Sequence, residues 1–243
     1  MTKTSKQSIT VLQLYPKDMN IYGDYGNLLV IQRRLEWYGY EPKIIHYNVG
    51  DVFPQQVDIV IGGGGQDSGQ EIIHEDLIKI GPKLKALAEK DVPMLLVCGL
   101  YQLFGNFFKT LQGKTLTGIG ILDIETYGSQ ERLIGNIVTN SPEFGDIVGY
   151  ENHSGQTFLG KDTQAFATVT KGAGNNSKDG HEGARYKNVI GTYLHGSILP
   201  KNPKLADFLI HTAVTTKYGD FSTDIIDDLL ADFSRETSIE RPR

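Results

Sequence analysis

Cysteine is nearly absent from this chain: Cys98 is the only one in 243 residues. A lone thiol forms no internal disulfide and supplies no thiolate zinc cluster, so any chemistry it performs is shared with other residue types. Long apolar runs are missing too. The longest unbroken one, residues 94–98, has five members, far short of the roughly 20 that span a bilayer. Residues 1–7 are polar and lead straight into a strand-like run without the apolar core of a secretory signal, which gives the expectation of a cytoplasmic protein. Charge of one sign does not accumulate either. Against 24 basic residues stand 29 acidic ones, net −5, with no basic run suited to a phosphate backbone, so nucleic acid is not the expected partner.

What is present is an alternation of short β-branched runs with longer amphipathic segments, the pattern of a parallel sheet with crossover helices, and the fold class expected is α/β. SITVLQL (Ser8–Leu14) reads as the first strand, and Leu28, Ile31, Leu35 and Tyr38 recur at helical spacing over residues 25–39. Residues 43–47 and 57–61 follow as strands, residues 71–90 as a helix interrupted or restarted at Gly81-Pro82, and residues 92–97 as a buried strand. Beyond Phe108 the texture turns to β structure, with strands expected at 132–139, 148–151, 166–170 and 186–193. The polar, Gly-rich stretch 171–183 reads as an exposed turn or mobile loop. Helices over Pro203–Tyr218 and residues 223–235 finish the chain. With no repeat or Pro/Ser linker, the expected organisation is one domain over residues 8–200 with a helical extension, 201–243, packed on it.

Cys98 directly follows the apolar run MLLV and precedes Gly99 and a helix-like segment. Strand, sharp turn and helix form a nucleophile elbow, and free amides at a helix start favour thiolate over thiol. Packing remains the alternative, since cysteine is among the most buried residue types. A thiol nucleophile needs a base. His195, in VIGTYLHGS, ends another buried strand in the same way, while His153, in YENHSGQT, is the competitor. The run Gly62-Gly63-Gly64-Gly65-Gln66-Asp67 fits neither a P-loop nor a dinucleotide fingerprint. An oxyanion hole or a plain flexible turn are the two remaining uses.

Taken in order, GGGGQD, CGLYQLFG, Arg132-Leu133-Ile134-Gly135, YENHSGQT and GTYLHGSILP, with NIYGDYGN upstream, resemble a class I glutamine amidotransferase domain of the cobyric-acid-synthase-like group. Within that group the likeness is to the glutaminase subunits of lipid II isoglutaminyl synthases. The resemblance implies that Cys98 attacks the side-chain amide of glutamine and His195 protonates the departing ammonia. It implies oxyanion donors at Gly63, Gly64 and Gly99, and binding of the glutamine α-amino and α-carboxylate groups by Gln102, Arg132, Asn152 and His153. It implies no metal and no cofactor in this chain. ATP and Mg²⁺ would sit on a Mur-ligase-like (MurT-like) synthetase, the heterodimer partner that takes the ammonia and amidates the D-glutamate α-carboxyl of lipid II in peptidoglycan synthesis at the inner membrane face.

One departure stands out. Many class I domains carry glutamate two residues after the histidine, and here that position is Ser197. The expectation is therefore a Cys98–His195 dyad completed by an acid of the partner, with Asp24 and Asn27 read as helix caps or partner surface. A stand-alone cysteine γ-glutamyl hydrolase, an amidotransferase subunit for another carboxylate acceptor, and a non-catalytic scaffold subunit remain open as alternatives.

Overall fold

The computed structural model describes residues 7–161, 163–221 and 225–242. Residues 1–6 of the polar start, and Thr223 at the head of the expected last helix, lie outside the described residues.

The first half of the chain builds α/β layers. Strand β1 (Ser8–Leu14) leads through a ten-residue loop into helix α1 (Tyr25–Trp37). β2 (Glu41–Tyr47), β3 (Ile59–Gly62), α2 (Asp67–Glu89), β4 (Met94–Val97) and the single turn α3 (Gly99–Leu103) follow. β5 (Phe107–Lys109), β6 (Thr115–Thr117), β7 (Ile124–Ser141), β8 (Gly145–Leu159), β9 (Ala167–Lys171) and β10 (His181–Glu182) make a second layer. β11 (Ala184–Tyr186) and β12 (Val189–Thr192) return to the first sheet before helices α4 (Pro203–Tyr218) and α5 (Leu229–Glu240).

The first sheet has the order β11-β12-β4-β3-β1-β2, parallel except for β11. Its central strands are apolar throughout because both faces are covered. On one face α2 buries Ile73, Leu77, Ile80 and Leu84, and on the other α1 and α4 bury Leu28, Ile31, Leu35, Leu205 and Leu209. The order reverses direction at β1, which has β2 on one side and β3 on the other, and such switch points open a crevice at the carboxyl edge of the sheet.

Several sequence expectations change in detail. α2 runs unbroken through Gly81-Pro82. Pro82 lies on the exposed side of the helix, while Gly81 packs against Ile119. The two short strands expected around residues 132–151 are one long hairpin of β7 and β8, with a register irregularity between Gly128 and Leu133. The stretch 171–183 is an exposed turn only at Ser177, Lys178, Asp179 and His181: Ala173, Asn175, Asn176 and Glu182 are buried, and the asparagine side chains and Glu182 bond backbone groups. The last helix begins at Leu229 and ends at Glu240, later than expected. α4 contributes seven buried residues to the main domain, whereas α5 has none. No described helix is long and apolar enough to cross a membrane.

Candidate active site

Strand order explains why distant residues meet. β12, β4, β3 and β1 are successive neighbours, and the segments leaving their carboxyl ends carry His195, Cys98, the glycine run and Asp24. Cys98 takes φ 50° and ψ −103°, a conformation that L-residues avoid, and its own amide donates to the Thr192 carbonyl at 2.8 Å. The sharp turn lifts the thiol out of the sheet edge, and the packing alternative for Cys98 does not account for such strain. His195 is pinned through its backbone, which exchanges hydrogen bonds with Tyr150 of β8 at 2.9 and 3.1 Å.

The acid partner of His195 is in this chain. His195 Nδ1 lies 3.1 and 3.2 Å from the two carboxylate oxygens of Asp24, both side chains being fully buried. Asp24 occupies the N-cap position of α1, yet its carboxylate makes no cap bond and turns inward. The expectation that a partner's acid completes the dyad is corrected accordingly, and so is the reading of Asp24 as cap or partner surface. Asn27 is likewise no surface residue: it is buried and its Oδ1 accepts from the Leu199 amide. Ser197, standing where glutamate is common, donates its hydroxyl to the carbonyl of Gly23, the residue before Asp24. It thus fastens the loop that delivers the acid.

That loop must cross two strands to reach His195, and the glycine run lets it do so. A methyl group built on Gly64 would lie 2.6 Å from His195 Cε1, 3.2 Å from Cys98 Cβ and 3.3 Å from Asp24 Oδ2. One on Gly63 would meet the Met19 carbonyl at 2.5 Å, and one on Gly65 the Met19 sulfur at 2.4 Å. The glycines therefore serve close approach and not flexibility. Ile21 N–H donates to the Gly64 carbonyl at 3.2 Å, and Gly64 N–H donates to Asp24 Oδ2 at 2.7 Å. Gly64, expected as an oxyanion donor, is thus engaged with the acid, and Gly63 backs onto Met19 and Asp24. The backbone nitrogen beside Gly99 belongs to Gly65, 3.1 Å from where a Gly99 Cβ would stand.

Burial, the largest influence on His195, would lower its pKa. The charge on the Cys98 sulfur and the Asp24 carboxylate outweigh it and raise the value to about 10. His153 is the opposite case. Burial pushes it down to about 3, its ring stacks on Tyr193 at 3.5 Å, and Nδ1 lies 2.8 Å from the Gly155 carbonyl. A neutral imidazole without a carboxylate partner is a wall, not the base.

A polar cavity of about 390 Å³ opens onto Cys98, lined by Gly65, Gln70, Gln102, Arg132, His153 and Tyr22 among others. Gln102 is fixed, accepting from Gln70 Nε2 at 2.8 Å and donating to the Tyr193 hydroxyl at 3.0 Å. Arg132 sits in the irregular part of β7, with Nε on Asn152 Oδ1 at 2.8 Å and Nη2 on the Tyr22 hydroxyl at 3.2 Å. Asn152 does not line the cavity and instead holds Arg132. Sequence reasoning missed Asp24, Gly65 and Tyr22 as site residues. The signal available was NIYGDYGN, an acid in a glycine-flanked loop directly after the first strand.

A strained strand-end cysteine, a buried histidine–carboxylate pair and a polar cavity at the edge of an α/β sheet are the parts of a cysteine-dependent acyl-transfer site. The CobB/CobQ-like glutamine amidotransferase domain matches residues 10–203, and the chain belongs to that family and is a glutamine amidotransferase. Similar curated proteins include the lipid II isoglutaminyl synthase (glutamine-hydrolyzing) subunit GatD of Staphylococcus aureus, 37% identical over 96% of each chain. The protein of the same name from Streptococcus pneumoniae is 36% identical over 92% of this chain and 87% of its own. A crystal structure of a glutamine amidotransferase shares the fold at TM-score 0.56 and 14% identity, over 83% of this chain and 98% of the other.

Proposed function

We propose that this chain is the glutaminase subunit of a lipid II isoglutaminyl synthase. The observation that carries the chemistry is the convergence of Cys98, His195 and Asp24 around Gly64 at the mouth of a polar cavity. Near-complete coverage by the two GatD relatives supports the acceptor.

Glutamine enters with its α-carboxylate on Arg132, whose planar fork pairs with carboxylates in two hydrogen bonds. The sulfur of Cys98, its proton held by His195, attacks the side-chain carbonyl carbon. The oxygen that becomes negative is held by the amides of Gly65 and Gly99, each such donor contributing about 3 kcal/mol to the barrier reduction. His195, now imidazolium and steadied by Asp24, protonates the amide nitrogen as the C–N bond breaks and ammonia leaves. Water, giving a proton to His195, then cleaves the glutamyl thioester to glutamate.

Ammonia protonates and diffuses away in bulk water, so we assign its consumption to a MurT-like, Mur-ligase-family partner in a heterodimer, reached through a channel. ATP and Mg²⁺ belong to that partner, which activates the D-glutamate α-carboxyl of lipid II, and the pair works in the cytoplasm at the membrane's inner face. The test is ammonia and glutamate release from glutamine by wild type and Cys98→Ala, with and without such a partner. Both products are expected from wild type and neither from the variant, and unchanged output from Cys98→Ala would reject the nucleophile.

One observation favours a second reading. With Asp24 in the same chain, a stand-alone γ-glutamyl hydrolase no longer lacks its acid. Cleavage of γ-glutamyl peptides at rates rivalling glutamine would select it.

A further inference from the structure

Tyr22 belongs to none of the roles above, yet it touches two of them. Its hydroxyl accepts the Arg132 Nη2 hydrogen bond at 3.2 Å, and its ring stands edge-on against His195, centroids 5.0 Å apart and planes at 75°. It lines the cavity while 43% of its surface faces solvent. Its backbone adopts φ 53°, a left-handed conformation disfavoured for a bulky residue and kept only where the surroundings fix it. The surroundings do fix it: Ile21 on one side bonds the Gly64 carbonyl, and the Gly23 carbonyl on the other receives Ser197.

We propose that Tyr22 is a positioning residue that joins glutamine recognition to proton delivery, its hydroxyl orienting Arg132 and its ring confining His195. The proposal rests on the glutaminase reading. Arg132 is held at Nε by Asn152 and at Nη2 by Tyr22, which leaves Nη1 and the second Nη2 proton for a carboxylate. A long, exposed arginine otherwise samples many rotamers, so two tethers lower the entropy lost when substrate binds. His195 is bounded on its Nδ1 edge by Asp24, at Cε1 by Gly64 and by the Tyr22 ring. That enclosure leaves Nε2, which has no other hydrogen-bond partner, to the reacting sulfur and nitrogen. The two halves of the role separate by substitution, since phenylalanine keeps the ring and loses the hydroxyl.

The experiment is steady-state glutamine hydrolysis by the full chain with its synthetase subunit, comparing wild type, Tyr22→Phe, Tyr22→Leu, Arg132→Ala and the Tyr22→Phe/Arg132→Ala double variant. Tyr22→Phe is expected to raise KM about three- to tenfold, the cost of one hydrogen bond to a charged group, with kcat within about twofold. Tyr22→Leu is expected to raise KM equally and also lower kcat about tenfold or more as the imidazole loses its wall. In the double variant the hydroxyl has nothing left to orient, so Tyr22→Phe should add nothing to the effect of Arg132→Ala. An unmoved KM in Tyr22→Phe, or effects that multiply independently in the double variant, would overturn the proposal while leaving an active wild type and the glutaminase reading intact. A wild type that releases no glutamate would remove the reading and the proposal together.

Discussion

Asp24 carries more of the site's chemistry than its place in the sequence suggested. A carboxylate on Nδ1 fixes the imidazole tautomer and stabilises the cation that forms when Nε2 takes a proton. Asp24→Asn keeps the shape but removes the charge, and kcat is expected to fall about a hundredfold or more, with Cys98 still open to alkylation. The pH profile gives a second readout. Because the Cys98 sulfur and the Asp24 carboxylate raise the His195 pKa to about 10, the proton donor persists through neutral pH, and activity should decline as pH rises towards that value. Without Asp24 the alkaline limb should move to lower pH, since one of the two charges sustaining the imidazolium is gone. A limb that stays in place would show that Asp24 does not act on His195.

The elements around the site show how close packing substitutes for extra side chains. The loop 15–24 lies over residues 63–65 with no room for a Cβ, so Gly64→Ala is expected to fold but push the imidazole off Asp24, reducing kcat by about a hundredfold. Gly50→Ala, a surface substitution at a left-handed glycine with open space around it, serves as the contrast: some stability is lost but not activity. In the 171–183 segment the consequential residue is Glu182, fully buried, accepting from Thr192 Oγ1 at 2.6 Å and the Tyr193 amide at 2.8 Å. Burial raises its pKa to about 7, so the folded chain keeps a proton that the unfolded chain has released above its ordinary 4.5. Stability should therefore fall as pH climbs through that window, by on the order of 3 kcal/mol in all. Thermal unfolding at pH 5 and pH 8 measures it, and Glu182→Gln should flatten the difference. The β7–β8 hairpin and this segment were poorly legible in the sequence, because polar composition reads as exposure. Here Asn175, Asn176 and Glu182 are polar because they bond buried backbone groups.

For the molecule as a whole, the alternation of strands and helices made the parallel sheet readable, and the helix Pro203–Tyr218 was readable too. The strand order was not, because pairing depends on contacts far apart in sequence, and with it went the reach of Asp24 across β3 and β4 to His195. Cys98 and His195 were legible because each ends an apolar strand in a small-residue turn. The engagement of the Gly64 amide by Asp24 was not legible, because it depends on the same long-range pairing. With all three members of the set on one chain, the subunit alone is expected to hydrolyse glutamine, and a partner should change the fate of the ammonia more than the existence of the reaction.

The central claim is covalent catalysis by Cys98 within a site this chain builds itself. Acid-quenched wild type mixed with glutamine, followed by mass analysis of the Cys98 peptide, tests it most directly. The account predicts a glutamyl adduct on Cys98 that forms and decays with turnover, and that is lost in Cys98→Ala together with activity. Glutamate formed by Cys98→Ala, or turnover of wild type with no adduct on that peptide, would contradict it.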